Sequence, residues 1–339
     1  MIPRIPSAEK TASWQRLLSQ AITDPMALYQ RLQLDTRHLP AALQAAREFS
    51  VMVPLGYLDR MTPGDPTDPL LLQVLPQVAE TASQPASYQR DPVGDDGASP
   101  IPGLIHKYHG RVLLITTGAC AVHCRYCFRR HYPYAEASAS PRQLQPALDW
   151  IRQHADIEEV ILSGGDPLML SDDRLDHLIS ALEAIPQLQR LRVHSRMPVV
   201  LPERMTKVLL NRLQASRLQI LMVMHANHPA ELDDSVGHAC QQMQRAGMTL
   251  LNQSVLLNGI NNQPDVLENL YKRLFSLGVQ PYYLHLLDKV RGAAHFDIDE
   301  ASAQRLYTEV CARLPGYMAP RLTREISGER SKRILGFGK

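Results

Sequence analysis

The chain reads as an α/β protein: a partial (β/α)6 barrel, with a helical region before it and a short C-terminal segment after it. From Arg111 onward, apolar strand-like runs alternate with helical patterns, which argues for a parallel sheet with crossover helices. Six such runs occur, and no Rossmann glycine fingerprint follows any of them. The polar and glycine-bearing motifs fall just past the ends of these runs, where barrels of this kind gather their chemistry.

In chain order, residues 1–103 are expected to form the helical region and a linker, 104–297 the barrel, and 298–339 the C-terminal segment. Trp14, Leu17, Leu18, Ala21 and Ile22 make one apolar helical stripe. Asp24-Pro25 and Asp68-Pro69 each read as an N-cap followed by proline at the first helical position. Residues 84–103 turn polar, with Gly94-Asp95-Asp96-Gly97 at their centre, and read as a linker or a wrapping loop. Strands are expected over 112–116, 159–163, 190–195, 218–224, 249–255 and 279–287. Between them, Ser140-Pro141 and Ser171-Asp172 open helices, and further helical patterns cover about 202–214, 229–246 and 264–277.

Directly after the first strand comes Cys120-Ala-Val-His-Cys124-Arg-Tyr-Cys127, three of the five cysteines within eight residues. Disulfide partners, zinc ligands and ordinary buried thiols are the bland readings. Such short spacings suit a disulfide framework poorly, and no second Cys pair completes a four-ligand zinc site, although His123 lies within the loop. Three thiolates on one tight loop suit an iron–sulfur cube with one iron left open. The C-x3-C-x2-C loop resembles the signature of the radical S-adenosylmethionine (SAM) enzymes, in which SAM chelates the open iron. Cys240 and Cys311 sit in helical patterns and read as buried small hydrophobes. Ser163-Gly164-Gly165-Asp166-Pro167 ends the second strand. Alone it is a plain strand-to-helix turn; beside the cysteine loop it resembles the motif that holds the SAM amino group, with Asp166 as an acceptor.

Apolar content of 45% and charged content of 21% over 339 residues describe an ordinary globular chain. A net charge of +2 gives no bulk electrostatic case for a nucleic-acid or membrane partner. The start Met-Ile-Pro-Arg-Ile-Pro-Ser has no apolar signal-peptide core, and no uncharged run reaches the ~18 residues of a membrane span, so a cytoplasmic location is expected.

Further motifs make the resemblance specific. His106-Lys107-Tyr108-His109-Gly110-Arg111, the cysteine loop with Arg129-Arg130, Ser195-Arg196-Met197-Pro198-Val199-Val200, His225-Ala226-Asn227-His228-Pro229, Asn252-Gln253-Ser254 and Pro281-Tyr282-Tyr283 occur in that order. Together they resemble the lysine 2,3-aminomutase family over roughly residues 100–332, closest to the bacterial branch that makes β-lysine for elongation factor P. The resemblance implies a [4Fe–4S] cluster on Cys120, Cys124 and Cys127, and SAM contacts from Gly164, Gly165, Asp166, Arg196, His225 and Gln253. It implies pyridoxal phosphate (PLP) carried by Lys332, with Lys107, Tyr108 and Arg111 at its phosphate. It places the substrate carboxylate on Arg129 and the distal ammonium on Asp288 and on Glu325, where the family usually has aspartate. A flavodoxin- or ferredoxin-type electron donor, an elongation factor P lysyl ligase as user of the product, and homo-oligomers belong to the same expectation. Catabolic members carry a longer C-terminus with zinc-binding cysteines; this chain ends seven residues after Lys332, and no zinc is expected. Ser327-Gly328-Glu329-Arg330-Ser331 stands in place of the family's glycine-rich run. A radical-SAM enzyme of another class without PLP, or an aminomutase of a different amino acid, is the alternative.

Overall fold

A computed structural model describes residues 13–134 and 141–336. Among these described residues, nine strands form one sheet in strict chain order: β1 Leu104–Tyr108, β2 Arg111–Thr117, β3 Glu159–Gly164, β4 Arg190–Ser195, β5 Gln219–Met224, β6 Thr249–Leu256, β7 Gln280–Leu286, β8 Arg321–Arg324 and β9 Arg333–Ile334. Strands β2 to β8 pair in parallel, and β1 and β9 join the two edges antiparallel. Parallel neighbours joined in order by crossovers of one hand keep their helices on one face, and the right-handed twist curls the other face inward. Edges β1 and β9 do not pair with each other, so the barrel is open.

The six expected strands are β2 to β7, each within one residue of its predicted limits. The sequence reading passes over β1, β8 and β9. Strand β8 offers one aliphatic side chain, Leu322, between arginines, and β9 is two residues long, so neither shows a period. These short strands tie Lys332 to the sheet.

The N-terminal region folds as α1 Ser13–Ser19, α2 Pro25–Arg31, α3 Leu39–Glu48, α4 Leu55–Leu58 and α5 Pro69–Leu72. Asp24 and Asp68 cap α2 and α5 by accepting two backbone amides each. Helix α1 is shorter than its apolar stripe: Ala21 and Ile22 lie beyond it, and Ile22 exchanges backbone bonds with Val53 at 2.8 and 2.9 Å. The polar stretch 84–103 wraps the barrel, with Gln89 bridging Lys289 and Arg291.

The crossover helices are α6 Pro141–Gln153, α7 Asp172–Glu183, α8 Met197–Val200, α9 Lys207–Gln214, α10 Asp234–Arg245, α11 Pro264–Ser276 and α12 Glu300–Arg313. Ser171 caps α7 as expected, whereas Ser140 lies outside the described residues. The helical patterns at 202–214 and 229–246 are each broken in two, because Thr206 and Asp233 start fresh helices as N-caps. One continuous hydrophobic core joins Trp14, the strands and Leu335. Cys240 is buried in it; Cys311, expected there too, is only half-buried on α12.

Candidate active site

The cysteine loop follows β2 and is held from below by the N-terminal region. Arg125, fully buried, forks onto Glu80 with bonds of 2.8 and 2.6 Å and also donates to the Phe49 and Ser50 carbonyls. Arg130 donates to the same Glu80 carboxylate at 2.9 Å. Two guanidiniums on one buried carboxylate fix both halves of the loop. His123 turns away and contacts Ser50, so the three thiols stand without it.

None of the three is in a disulfide. Burial pushes the Cys120 thiol well up, with Cys127, Asp166 and Cys124 adding to it. Burial also pushes Cys127 up to about 11, with Cys124 next. Thiols raised in this way, as Cys120 and Cys127 are, ionise readily only when a cation joins them, which is what iron supplies.

The glycine pair has a packing reason. A Cβ on Gly164, at φ +123°, would lie 2.6 Å from the Thr117 carbonyl, and one on Gly165 would lie 2.3 Å from that of Ala119. Backbone bonds from Gly165 and Asp166 then clamp the start of the cysteine loop. Asp166, read as an acceptor for an ammonium, is already engaged. Its carboxylate accepts from Leu168 N, Ser195 Oγ, Arg196 N and Met197 N at 2.7–3.2 Å. It thus orients Arg196, whose Nη1 points to Cys124 Sγ at 2.7 Å.

Across the cavity the charges pair among themselves. Arg129 donates from Nε to Asp95 at 2.8 Å and from Nη1 to Ser163 Oγ at 3.1 Å. Lys107 sits between Asp95 at 2.6 Å and Glu325 at 2.9 Å, and Lys332 contacts the other Glu325 oxygen. Burial would raise Glu325, but Lys332 and Lys107 override it and hold the carboxyl down to about 2. Lys107 is therefore committed to carboxylates, while Arg111 lies over the Tyr108 ring at 4.9 Å. Asp288 stands apart: burial pushes it up to about 7, against the pull of Lys332.

His225 and Gln253 contact each other at 2.8 Å, and burial holds His225 down to about 3. His194, at the end of β4, lines the same space with Nε2 unpartnered. All sixteen residues singled out from the sequence line one cavity of about 510 Å³. The sequence reading missed Asp95, Glu80 and Glu231. Asp95 carries one signal, an acidic doublet between glycines in a stretch that would otherwise be a mere linker.

The Radical SAM superfamily profile matches residues 114–222. The chain is 47% identical to L-lysine 2,3-aminomutase of Escherichia coli (strain K12), over 95% of this chain and 94% of that one. It is 44% identical to L-lysine 2,3-aminomutase of Haemophilus influenzae, over 98% of each chain. The chain belongs to the lysine 2,3-aminomutase family of radical SAM enzymes. The kinship extends to L-lysine 2,3-aminomutase of Clostridium subterminale, 32% identical over 94% of this chain and 76% of that one. Radical SAM enzymes use a [4Fe–4S] cluster and SAM, and the mutually stressed thiols of this aminomutase-family chain fit such a cluster. Among the described residues no helix is long and apolar enough to cross a membrane.

Proposed function

We propose that the protein converts L-lysine to β-lysine with PLP as second cofactor, for the modification of elongation factor P, fed by a flavodoxin- or ferredoxin-type donor. One observation carries the reading: Lys332 lies in the same cavity as the cysteine triad, although a lysine this near the C-terminus would ordinarily be solvated. The surroundings suit PLP, since Lys332 is half-buried and the same cavity is lined by Arg111, lying over the Tyr108 ring, which suits a phosphate.

Cys120, Cys124 and Cys127 would hold the cluster, with Arg196, His225, Gln253 and the Gly164-Gly165 backbone around SAM, and Lys332 would carry PLP. When bound, these groups would supply homolytic hydrogen abstraction and an imine through which the substrate's own nitrogen could migrate between neighbouring carbons. The protein's own share is positioning. Arg129 takes the substrate carboxylate as a planar fork, already aimed by Asp95 and Ser163. Asp288 takes the distal ammonium and gives up the proton it holds near neutral pH. Glu325 keeps Lys332 and Lys107 in place rather than waiting free for the ammonium.

The test is anaerobic incubation of the reconstituted protein with lysine, SAM, PLP and reductant, with chiral analysis of products. β-Lysine formed only when PLP is present is the expected result. SAM cleavage without any β-amino acid overturns the reading, and a β-amino acid from another substrate corrects the choice of lysine.

A further inference from the structure

We propose that Glu231 and Arg196 form a relay that sets the reduction potential of the iron–sulfur cluster through Cys124. Arg196 is buried, with Nη1 on Cys124 Sγ at 2.7 Å. Its Nη2 is fixed by Gln73 Oε1 at 2.7 Å, Glu231 Oε2 at 2.9 Å and Tyr57 OH at 3.1 Å. Glu231 is fully buried, and its other oxygen accepts from Gln73 Nε2, Asn227 N and His228 N at 2.9–3.1 Å. The guanidinium cannot swing away without stranding a buried carboxylate. Cys127 receives the backbone amide of Arg129, and the Arg129 and Arg130 guanidiniums act on it only through space. The cation is thus aimed at one sulfur of the three.

Reduction adds one electron, and so one negative charge, to a cluster in a poorly solvated site. Hydrogen bonds to a coordinating sulfur stabilise that added charge and raise the potential. Glu231 acts only through Arg196: it aims the guanidinium and offsets part of its charge. A buried ion pair with no role beyond folding would leave the potential unmoved.

The relay rests on the cluster being held by Cys120, Cys124 and Cys127. The experiment is a potentiometric titration of anaerobically reconstituted protein, with dithionite and mediators, read by electron paramagnetic resonance of the reduced cluster. Arg196→Gln lowers the midpoint potential, each tenfold loss of the reduced-to-oxidised ratio at fixed potential reading as about 59 mV. Arg196→Lys keeps the charge but cannot span Glu231 and Cys124 together, so its potential falls between the two; it also serves where Arg196→Gln does not fold. Glu231→Gln shifts the potential when Arg196 is present and not when Arg196 is already Gln. Wild-type potentials in both Arg196 variants, or a Glu231→Gln shift that persists without Arg196, overturn the relay. Iron content per chain keeps the two questions apart: wild-type protein that binds no four-iron cluster overturns the site itself.

Discussion

Replacing Asp288 by Asn should make the protein more stable and a worse enzyme. The carboxyl is pushed up to about 7 from 3.8, first by burial, with Lys332 opposing and Glu325 reinforcing. A shift of about 3 units at ~1.36 kcal/mol each sets an upper bound of roughly 4 kcal/mol on the cost of ionising it in the fold. Water in the cavity solvates part of that charge, so about 1–3 kcal/mol is the realistic range. The sign follows from the raised value. Below the unfolded carboxyl value both states are protonated and Asp288 costs nothing. As pH rises toward 7 the unfolded chain ionises first and the penalty grows; above 7 it is constant. Melting of the cofactor-free protein should therefore show Asp288→Asn gaining on wild type from pH 5 to pH 8. Lysine KM should rise steeply, since removing one partner of a buried charge pair typically costs about 2–5 kcal/mol, while the cluster spectrum is kept. A stability gap that does not widen with pH, together with unchanged lysine kinetics, would refute both the buried carboxyl and its role.

Four other outcomes can be checked directly. Cys120→Ala, Cys124→Ala and Cys127→Ala should each lose the iron–sulfur absorbance and SAM cleavage, whereas Cys240→Ala and Cys311→Ala should keep both. Lys332→Ala should keep the cluster and SAM binding but lose the PLP absorption band and β-lysine formation; wild-type turnover would place PLP elsewhere. Glu80→Gln leaves Arg125 and Arg130 without their shared carboxylate, and at about 3–5 kcal/mol for breaking a buried pair it should lower Tm and iron retention, measured by melting and iron assay. Glu325→Asp is one methylene too short to bridge Lys107 and Lys332, so turnover should fall although the family's usual residue is restored.

How far the sequence reached depends on whether a feature is local. Of the six central strands, β3 is an apolar run buried along its whole length, whereas β4 and β6 alternate buried with half-buried or exposed positions, and both patterns are legible locally. Most of the sixteen candidate residues converge because β2 to β8 run parallel in chain order and bring their C-terminal ends to one rim, whereas Lys107 and Tyr108 enter from antiparallel β1 and Arg111 from the start of β2. What the sequence hid is pairing between distant segments. Glu80 in the N-terminal region and Glu231 after β5 look like solvated carboxylates until Arg125, Arg130 and Arg196 are folded onto them. Asp166 shows the opposite failure: its motif suggests a ligand, yet its oxygens are filled by the turn that carries Arg196.

The pairing in the cavity also bears on substrate choice. Arg129, Asp95, Lys107, Glu325 and Lys332 form an unbroken chain of alternating charge, with three cations and two carboxylates. A carboxylate arriving at Arg129 meets the Asp95 charge as well, so its gain there is partly cancelled. An amino acid with an apolar side chain would add nothing further and would leave Asp288 protonated and idle. Lysine brings a second cation of its own; of the two described cavity carboxyls outside the chain, Asp166 is already engaged by the turn that carries Arg196, which leaves Asp288 to answer it. Docking that ammonium draws the proton off Asp288 and replaces a neutral acid by an ion pair in a poorly solvated space. In the proposed reading, selectivity for lysine then comes less from the grip on the shared carboxylate than from this ionisation, which only a substrate charged at its far end can drive.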